Sequence, residues 1–372
     1  MAHIANNFRC VTSSILSFLI FFLSLRGMNL SQESLKAARE LLCGSPLRVV
    51  VVSHTNPDGD AIGSSLALRE ALMAQGHSVT CIVPNKYPYY LDWISGISNL
   101  LVFKSDRDAA VKAVQEAELI ICADMSNLSR LDELGEVIAA NKSAKRVLID
   151  HHLSPDPEFD VIFSHPESSS TAFLAYCIIV ELFGKEAVTT VMAEQLYVGM
   201  MTDTGNFSFS FLTPELFRAV ADLSATGINI PQIYNNVYNS FTEGRARLFG
   251  YVINRKMKTL HKGTVAYMSL TEEEMRRFWF QQGDSEGFVN YPLTIKKMKM
   301  SAIFIEHHDF IRVSLRSRGN VDVNEFSRRY FNGGGHKNAA GGKSFVSMEE
   351  TIAHYIASVQ EFVEEGGLSK KD

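Results

Sequence analysis

Residues 47–76 read LRVVVVSHTNPDGDAIGSSLALREALMAQG, a β-branched run followed by a polar turn and a long, mainly apolar segment. The initial run is too short for a helix and is typical of a parallel strand buried on both faces. The apolar segment predicts a four-turn helix with Asp60 at its N-terminal cap and Gly76 at its end. A buried strand followed directly by a helix indicates an α/β domain.

The same alternation continues beyond this first unit of strand and helix. It predicts strands at HSVTCIV (77–83), LIICAD (119–124) and KRVLIDHH (145–152), and helices at AAVKAVQEA (109–117), TAFLAYCIIVELFG (171–184) and EQLYVGMMTDTG (194–205). We therefore predict an N-terminal α/β domain over residues 28–225, with a mainly parallel sheet flanked by helices.

The chain changes character after this domain. Residues 226–247 are polar, contain Pro231 and Gly244, and are predicted to be a linker. Residues 248–372 predict a smaller C-terminal α/β domain. Within it, KMSAIFIEH (299–307) and FIRVSLRS (310–317) predict a hairpin closed by a tight His-Asp turn.

Composition limits the partners of the protein. The formal net charge of −5 argues against binding to long nucleic acid, which needs many cations to neutralise phosphates. Residues 296–343, however, hold ten Lys or Arg against four Asp or Glu. A small anionic ligand is therefore compatible with the sequence.

The first 27 residues form an apolar extension with a hydrophobic run at 11–25. Its length matches the core of a signal peptide and falls short of a membrane-spanning helix. Met28 opens a fresh amphipathic pattern, so two alternatives stay open: a true start at Met28, or a signal or short anchor. We expect a cytoplasmic protein without a stable membrane partner, although the extension leaves an anchored or exported form open.

Acidic and imidazole side chains follow three of the predicted strands, and one more acid ends an apolar helix. Because the carboxyl ends of parallel strands meet at one edge of a sheet, we expect these side chains to lie together. They are His54, Asp58 and Asp60 after the first strand, Asp124 after LIICA, Asp150, His151 and His152 after KRVLI, and Asp203 in TDTG.

So many carboxylates in one crevice repel each other unless cations neutralise them. Oxygen and imidazole donors without cysteine exclude a structural zinc site and favour Mn²⁺ over Mg²⁺. More than four candidate ligands favour two metal ions, an arrangement suited to hydrolysis at phosphorus.

Four motifs together, HTNPDGDAIGSSLAL (54–68), ADMS (123–126), DHH (150–152) and TDTG (202–205), resemble those of the DHH phosphoesterase superfamily. Residues 314–342, SLRSRGNVDVNEFSRRYFNGGGHKNAAGG, resemble the DHHA1 domain. The arrangement is most similar to the NrnA-type enzymes, bifunctional oligoribonucleases and 3′-phosphoadenosine 5′-phosphate (pAp) phosphatases.

The resemblance implies a role for each candidate site residue of the first domain. It also implies an active site in the cleft between the two domains. Asp150 would orient a ligand histidine, and His152 would lie beside the substrate phosphate. The implied ligands of two Mn²⁺ ions are His54 and Asp58 for one, Asp60, His151 and Asp203 for the other, and Asp124 as the bridge.

In the second domain the resemblance implies that Arg316 and His336 bind the terminal phosphate, with the backbone N–H groups of Gly334 and Gly335 close to it. Arg312 and Arg318 share the alternation of Arg316. For these two, a solvated edge strand and a phosphate-binding fork remain equal alternatives.

The implied activity is hydrolysis of short oligoribonucleotides to mononucleotides and of pAp to AMP, and a homodimer is compatible with it. Three alternatives remain: a cyclic- or linear-dinucleotide phosphodiesterase of the DHH–DHHA1 type, a family II pyrophosphatase, and a non-catalytic nucleotide-binding protein. A RecJ-like exonuclease is disfavoured, because the chain lacks room for further nucleic-acid-binding domains.

Overall fold

The structure is a computed structural model that describes residues 28–209 and 211–368. The expectations for residues 1–27 lie outside this range. Within it, no helix is long and apolar enough to cross a membrane. The chain forms two compact units, the first made of residues 28–87, 91–209 and 211–235, and the second of residues 88–90 and 236–368.

The first unit contains a six-stranded, fully parallel sheet. Its strands are β1 Arg48–Val52, β2 Ser78–Val83, β3 Leu101–Val102, β4 Leu119–Ala123, β5 Lys145–Asp150 and β6 Val161–Ser164. The spatial order is β3-β2-β1-β4-β5-β6. The predicted parallel sheet is confirmed, and the two short outer strands β3 and β6 were not predicted.

Eight helices accompany this sheet within the described residues. They are α1 Gln32–Leu42, α2 Gly59–Ala74, α3 Arg107–Glu116, α4 Glu133–Ala140, α5 Thr171–Phe183, α6 Thr190–Asp203, α7 Pro214–Ala225 and α8 Ile230–Tyr238, whose last three residues belong to the second unit. The predicted cap of α2 is wrong. Asp58 occupies the cap position and Asp60 lies in the first turn, because the glycine between them already has helical geometry.

The strand order creates a crevice at a defined place. The chain builds outward from β1 to β3, then returns to lay β4 on the other side of β1. In open parallel sheets, a ligand site forms beyond the carboxyl ends of the strands where the direction of building reverses. Here that point lies between β1 and β4. The polar residues that follow β1, β4 and β5 therefore lie at one edge.

The second unit contains a mixed sheet in the order β11-β12-β10-β9-β8-β7, antiparallel except for the β8–β9 pair. Its strands are β7 Lys258–Leu260, β8 Val265–Leu270, β9 Met300–His307, β10 Phe310–Ser317, β11 Gly334–His336 and β12 Ala339–Ser344. Its helices are α9 Glu243–Tyr251, α10 Glu272–Arg277, α11 Val323–Tyr330 and α12 Met348–Glu364.

The hairpin expected at residues 299–317 is confirmed, since His307 pairs with Phe310 across the two-residue turn. Alternate residues of β10, including Val313 and Leu315, are buried with Phe326 of α11 and Tyr355 of α12 in one apolar core. The opposite face of β10 carries polar side chains. The glycine-rich segment, for which no strand was predicted, supplies β11 and part of β12.

Candidate functional site

The turn after β1 places two carboxylates at the start of α2. Asp58 Oδ1 accepts hydrogen bonds from the backbone N–H groups of Asp60 (3.0 Å) and Ala61 (3.1 Å), which caps the helix. Asp60 is thereby turned inward, where only 1% of it is exposed. Of these two acids, Asp58 therefore caps the helix and Asp60 is a fully buried carboxylate.

The start of α5 holds the Asp60 carboxylate in place. Its Oδ2 accepts a hydrogen bond from Thr171 N at 2.7 Å, and its Oδ1 accepts one from Ala172 N at 2.8 Å. A helix N-terminus favours such an anion through its unpaired N–H groups and its dipole. Gly199 of α6 makes room for this contact, because a Cβ there would lie 2.8 Å from Asp60 Oδ1.

Asp124 follows β4 with a left-handed backbone, φ 60°. Its Oδ1 accepts a hydrogen bond from Thr171 Oγ1 at 3.0 Å, and its Oδ2 lies 3.3 Å from His54 Nε2. His54 Nδ1 lies 2.9 Å from the carbonyl oxygen of Thr55, which fixes the ring with Nε2 toward Asp124. Asp124 is therefore held from both sides of its carboxylate.

His151 faces three carboxylates at once. Its Nδ1 lies 3.2 Å from the carbonyl oxygen of Ser168, which directs Nε2 into the crevice. From Nε2 the distances are 3.5 Å to Asp203 Oδ2, 3.6 Å to Asp124 Oδ1 and 3.8 Å to Asp60 Oδ2. The end of α6 thus brings Asp203 to the residues that follow β1, β4 and β5.

Two groups of donor atoms together contain all six candidate ligands, and the atoms of each group lie within 4.8 Å of one another; Asp124 also forms such a group with Asp150 and His152. The first set is His54, Asp58 and Asp124, and the second is Asp60, His151 and Asp203. Asp124 belongs to the first set and also contacts His151 of the second. The structure therefore brings all six candidate ligands together in the grouping that the family resemblance implied.

The histidine that contacts Asp150 differs from the one expected from the sequence. Asp150 was expected to orient a ligand histidine, yet His151 is oriented by the Ser168 carbonyl. Asp150 Oδ1 lies instead 2.8 Å from His152 Nδ1, and Asp150 is completely buried. His152 Nδ1 also lies 3.7 Å from Asp124. The Asp150 carboxylate therefore orients His152.

Burial and mutual repulsion act on the carboxylates of the site. Burial raises the pKa of Asp60 well above its usual range, and the charges of Asp124 and Asp203 raise it further. Burial also raises the pKa of Asp203 to about 6, although the charge of His151 opposes this. Without a metal, both carboxylates therefore resist ionisation.

Asp124 shows the opposite behaviour. Burial opposes its ionised form, but the hydrogen bond from His54 and the charges of the neighbouring histidines hold its pKa well below the usual range. Burial lowers the pKa of His54 and His151, yet the nearby carboxylates outweigh it and raise both. In the metal-free site these shifts favour proton binding at Asp60, His54 and His151. Metal ions would displace these protons, so these oxygen and imidazole donors fit divalent cations.

The second unit places Arg316, His336 and Gly334 on one face of its sheet. Cross-strand pairing puts Arg316 opposite Ala339, and Ala339 opposite His336. Gly335 has φ +145°, and a Cβ there would lie 2.5 Å from the Ala339 carbonyl oxygen. Only glycine suits this position. Gly334 precedes it on the same strand.

Two arginines near Arg316 behave differently from each other. Arg318 lies beyond the end of β10 and is exposed, so the expected three-arginine face has only two members within the strand. Arg312 lies on β10, which is paired on both sides. The edge-strand interpretation of Arg312 is therefore wrong.

Sequence reasoning missed the role of the hydroxyl run at residues 168–171. Ser170 caps α5 by accepting a hydrogen bond from Phe173 N at 3.0 Å. The anion at this helix start is the protein's own Asp60, and Thr171 also binds Asp124. The signal was the concentration of hydroxyl groups before an apolar helix.

The sequence matches the description "DHH family, N-terminal domain" over residues 48–200 and "DHHA1 domain" over residues 262–365. The chain belongs to the DHH family. It is a DHH phosphoesterase, a hydrolytic enzyme, with its domains in the order that the sequence predicted.

Its relatives cover nearly the whole chain. It is 27% identical to the Bacillus subtilis bifunctional oligoribonuclease and PAP phosphatase NrnA, over 81% of this chain and 90% of that protein. It is 24% identical to the B. subtilis cyclic-di-AMP phosphodiesterase GdpP, over 90% of this chain and 50% of that protein. The crystal structure of an exopolyphosphatase-related protein from Bacteroides fragilis is similar, with 38% identity and a TM-score of 0.84, over 90% of this chain and 97% of that one.

Proposed function

We propose that this DHH-family enzyme uses two Mn²⁺ ions to hydrolyse short oligoribonucleotides to mononucleotides and pAp to AMP. The observation that carries the proposal is the pair of donor sets that meet at Asp124. The substrate class is supported by the similarity to B. subtilis NrnA along most of both chains.

In this proposal His54 and Asp58 would hold one ion, and Asp60, His151 and Asp203 would hold the other. Asp124, which lies near both histidines, would serve as a further ligand. When bound, the metal pair would activate water and offset negative charge on the phosphoryl group. The hydrogen bonds of Asp60 to the start of α5 and of Asp124 to Thr171 keep both carboxylates fixed. Fixed ligands avoid reorganisation during the reaction.

His152 would act on the substrate phosphate as a proton donor or charge stabiliser. The contact between its Nδ1 and Asp150 fixes the tautomer and the ring orientation, so Nε2 is the atom proposed to act. In the second unit, Arg316, His336 and the N–H groups of Gly334 and Gly335 would bind the terminal phosphate.

The net charge of −5 supports short substrates, since a long strand requires an extended basic track. Because short RNA and pAp are intracellular compounds, we also propose a cytoplasmic location for the protein. The similarity to GdpP supports a second candidate function, hydrolysis of a cyclic dinucleotide at the same residues.

A substrate panel separates these functions. The full chain with Mn²⁺ is given pAp, a linear diribonucleotide, a five-residue RNA, cyclic di-AMP and pyrophosphate, each beside an Asp124→Asn control. We expect AMP from pAp and mononucleotides from both RNAs, with no turnover by the variant. Turnover confined to cyclic di-AMP or to pyrophosphate would overturn the substrate assignment.

A further inference from the structure

An exposed aromatic ring lies in the loop that follows α6 and its last residue, the candidate metal ligand Asp203. The ring belongs to Phe209, and 49% of this residue is exposed. The Asp203 side chain is 30% exposed, whereas those of Asp60 and His151 are 1% and 5% exposed. This set of donors therefore opens toward solvent at Asp203, on the end of α6 from which the loop begins.

Hydrogen bonds fold this loop back onto the end of α6. The backbone N–H groups of Ser208 and Phe209 both donate to the carbonyl oxygen of Thr204, at 3.0 and 2.9 Å. Phe207 N donates to Thr204 Oγ1 at 3.0 Å. Because Thr204 directly follows Asp203, these bonds fix the position of Phe209 relative to the candidate ligand.

Gly205 makes room for the ring of Phe209. It has φ +55°, and a Cβ at this position would lie 2.4 Å from Phe209 Cζ. Since a bond between two such carbons is about 1.5 Å long, the outer end of the ring lies within about 4 Å of the Gly205 Cα. Only glycine allows so close an approach. The ring therefore packs against the turn next to Asp203 and leaves about half of the residue open to solvent.

The neighbouring aromatic residues do not use this ring. Phe207 contacts Tyr197 and Phe217, with centroids 5.8 and 6.0 Å apart, but Phe209 contacts no aromatic ring in the described part of the chain. Phe211 and Phe217 are also about half exposed. Two occupants of this surface are therefore compared: a flat ring of the substrate, and a second copy of the chain. The position beside Asp203 favours the substrate.

The residues of the proposed function contact only phosphate. The candidate metal ligands, Arg316 and His336 recognise groups that inorganic phosphate chains carry as well as nucleotides do. None of them recognises the nucleobase, although pAp and RNA both contain one. Every base has a flat π face, so an aromatic side chain stacks on all of them without reading their edges. Such a contact suits an enzyme that cuts short RNA of any sequence.

We propose that Phe209 stacks on the nucleobase of the nucleotide whose phosphate lies at the metal ligands, and thereby selects nucleotides over phosphate compounds without a base. This inference rests on the proposed function. The base is adenine in pAp and any of the four bases in RNA. Phe209 is then a specificity-determining residue of the first unit.

The test measures binding of AMP and of ribose 5-phosphate, which lacks the base, to the full chain with Mn²⁺ by isothermal titration calorimetry. AMP is a product of the proposed reaction, so its binding is measured without turnover. We expect the wild type to bind AMP about 5- to 100-fold more tightly than ribose 5-phosphate, the range for one base stacked on an aromatic ring. Phe209→Leu keeps an apolar side chain without the ring. It should weaken AMP binding at least ~5-fold and ribose 5-phosphate binding less than ~2-fold.

Two control variants separate stacking from a merely structural role. Phe209→Tyr keeps the ring and should retain the preference for AMP. Phe217→Leu is the same substitution at a ring of equal exposure that contacts Phe207. It should change the binding of neither compound. In Phe209→Leu, CMP should lose affinity as AMP does, because stacking does not depend on the edges of the base.

The inference is overturned if the wild type binds AMP and ribose 5-phosphate equally, or if Phe209→Leu weakens both equally or neither. It is also overturned if Phe217→Leu reproduces the effect of Phe209→Leu. A lower molar mass of Phe209→Leu in light scattering, with the preference for AMP intact, would assign the ring to self-association instead. Hydrolysis of pAp and short RNA by the wild type, measured separately, would show in each case that the proposed function stands. Preference for AMP without such hydrolysis would overturn the proposed function and support the base contact alone.

Discussion

The imidazole of His152 and the carboxylate of Asp150 form a pair, with 2.8 Å between Nδ1 and Oδ1. Both residues come from the same motif, and Asp150 is fully buried beneath the histidine. The second carboxylate oxygen of Asp150 is buried and has no hydrogen-bond partner among the described residues. The contact through Oδ1 therefore holds the His152 ring in one orientation.

Asp150→Asn is expected to lower kcat on pAp about 10- to 100-fold, because an amide holds the imidazole less firmly and in either tautomer. His152→Ala should cause a similar or larger loss. The double variant should be no worse than His152→Ala, since both changes remove the same contribution. Steady-state kinetics on the three variants test this, and additive losses would contradict the pairing.

Thr171→Val removes the hydroxyl that binds Asp124 while preserving the shape of the side chain and the backbone bond to Asp60. We expect about a 10-fold loss in metal affinity, because Asp124 contacts both donor sets. Ser170→Ala is the matched control. It removes the helix cap, so it should lower stability by about 1 kcal/mol with no effect on metal affinity. Metal titration and urea unfolding of both variants test these roles. A loss of metal affinity in Ser170→Ala, with none in Thr171→Val, would contradict them.

Gly199→Ala would place a Cβ 2.5 Å from Ala172 Cβ and 2.8 Å from Asp60 Oδ1. The packing of α6 against α2 and α5 must loosen to admit this Cβ, so both the stability of the fold and its metal affinity should fall. At Gly250 in α9, a new Cβ meets nothing within 4 Å. Gly250→Ala should therefore be neutral or stabilise by up to about 1 kcal/mol. Equal behaviour of the two variants in thermal melts and metal titrations would contradict the close packing of α2, α5 and α6.

Asp203 gives a prediction for the metal-free protein. Its pKa is raised to about 6 in the folded state and is about 3.9 in an unfolded chain. Its favourable contribution is therefore lost as the pH rises from about 4 through about 6. In chelator at pH 8, Asp203→Asn should be more stable than the wild type by about 1–3 kcal/mol.

In excess Mn²⁺ the wild type should instead be more stable than Asp203→Asn, because only the wild type has the complete donor set for the metal. Urea unfolding at pH 4 and pH 8, with chelator and with Mn²⁺, measures both effects. A metal-free variant that is less stable than the wild type at pH 8 would show that repulsion among the carboxylates is not the dominant force at this site.

Local patterns were sufficient to predict the four inner strands of the first sheet and the proximity of the candidate metal ligands. The β-branched run Arg48–Val52 specifies a buried strand wherever it lies in the chain, and parallel strands bring the residues after them to one edge. This is why Asp60, Asp124 and His151 could be expected together. The two-residue strand β3 has too few residues to show any periodicity.

Contacts between distant segments could not be read from the sequence. The hydrogen bond from Thr171 to Asp124 joins residues 47 positions apart, and it requires α5 to begin beside the end of β4. The internal position of Arg312 depends on β12 pairing with β10. The sequence around Arg312 alternates in the same way in an edge strand and in an internal strand, so only the pairing distinguishes the two.

The most direct test of the central claim is the stoichiometry of Mn²⁺ binding measured together with hydrolysis of pAp. We predict two Mn²⁺ per wild-type chain, AMP release that requires them, and loss of both binding and turnover in Asp124→Asn. Full turnover of pAp by the wild type in chelator, or by Asp124→Asn in Mn²⁺, would contradict the account.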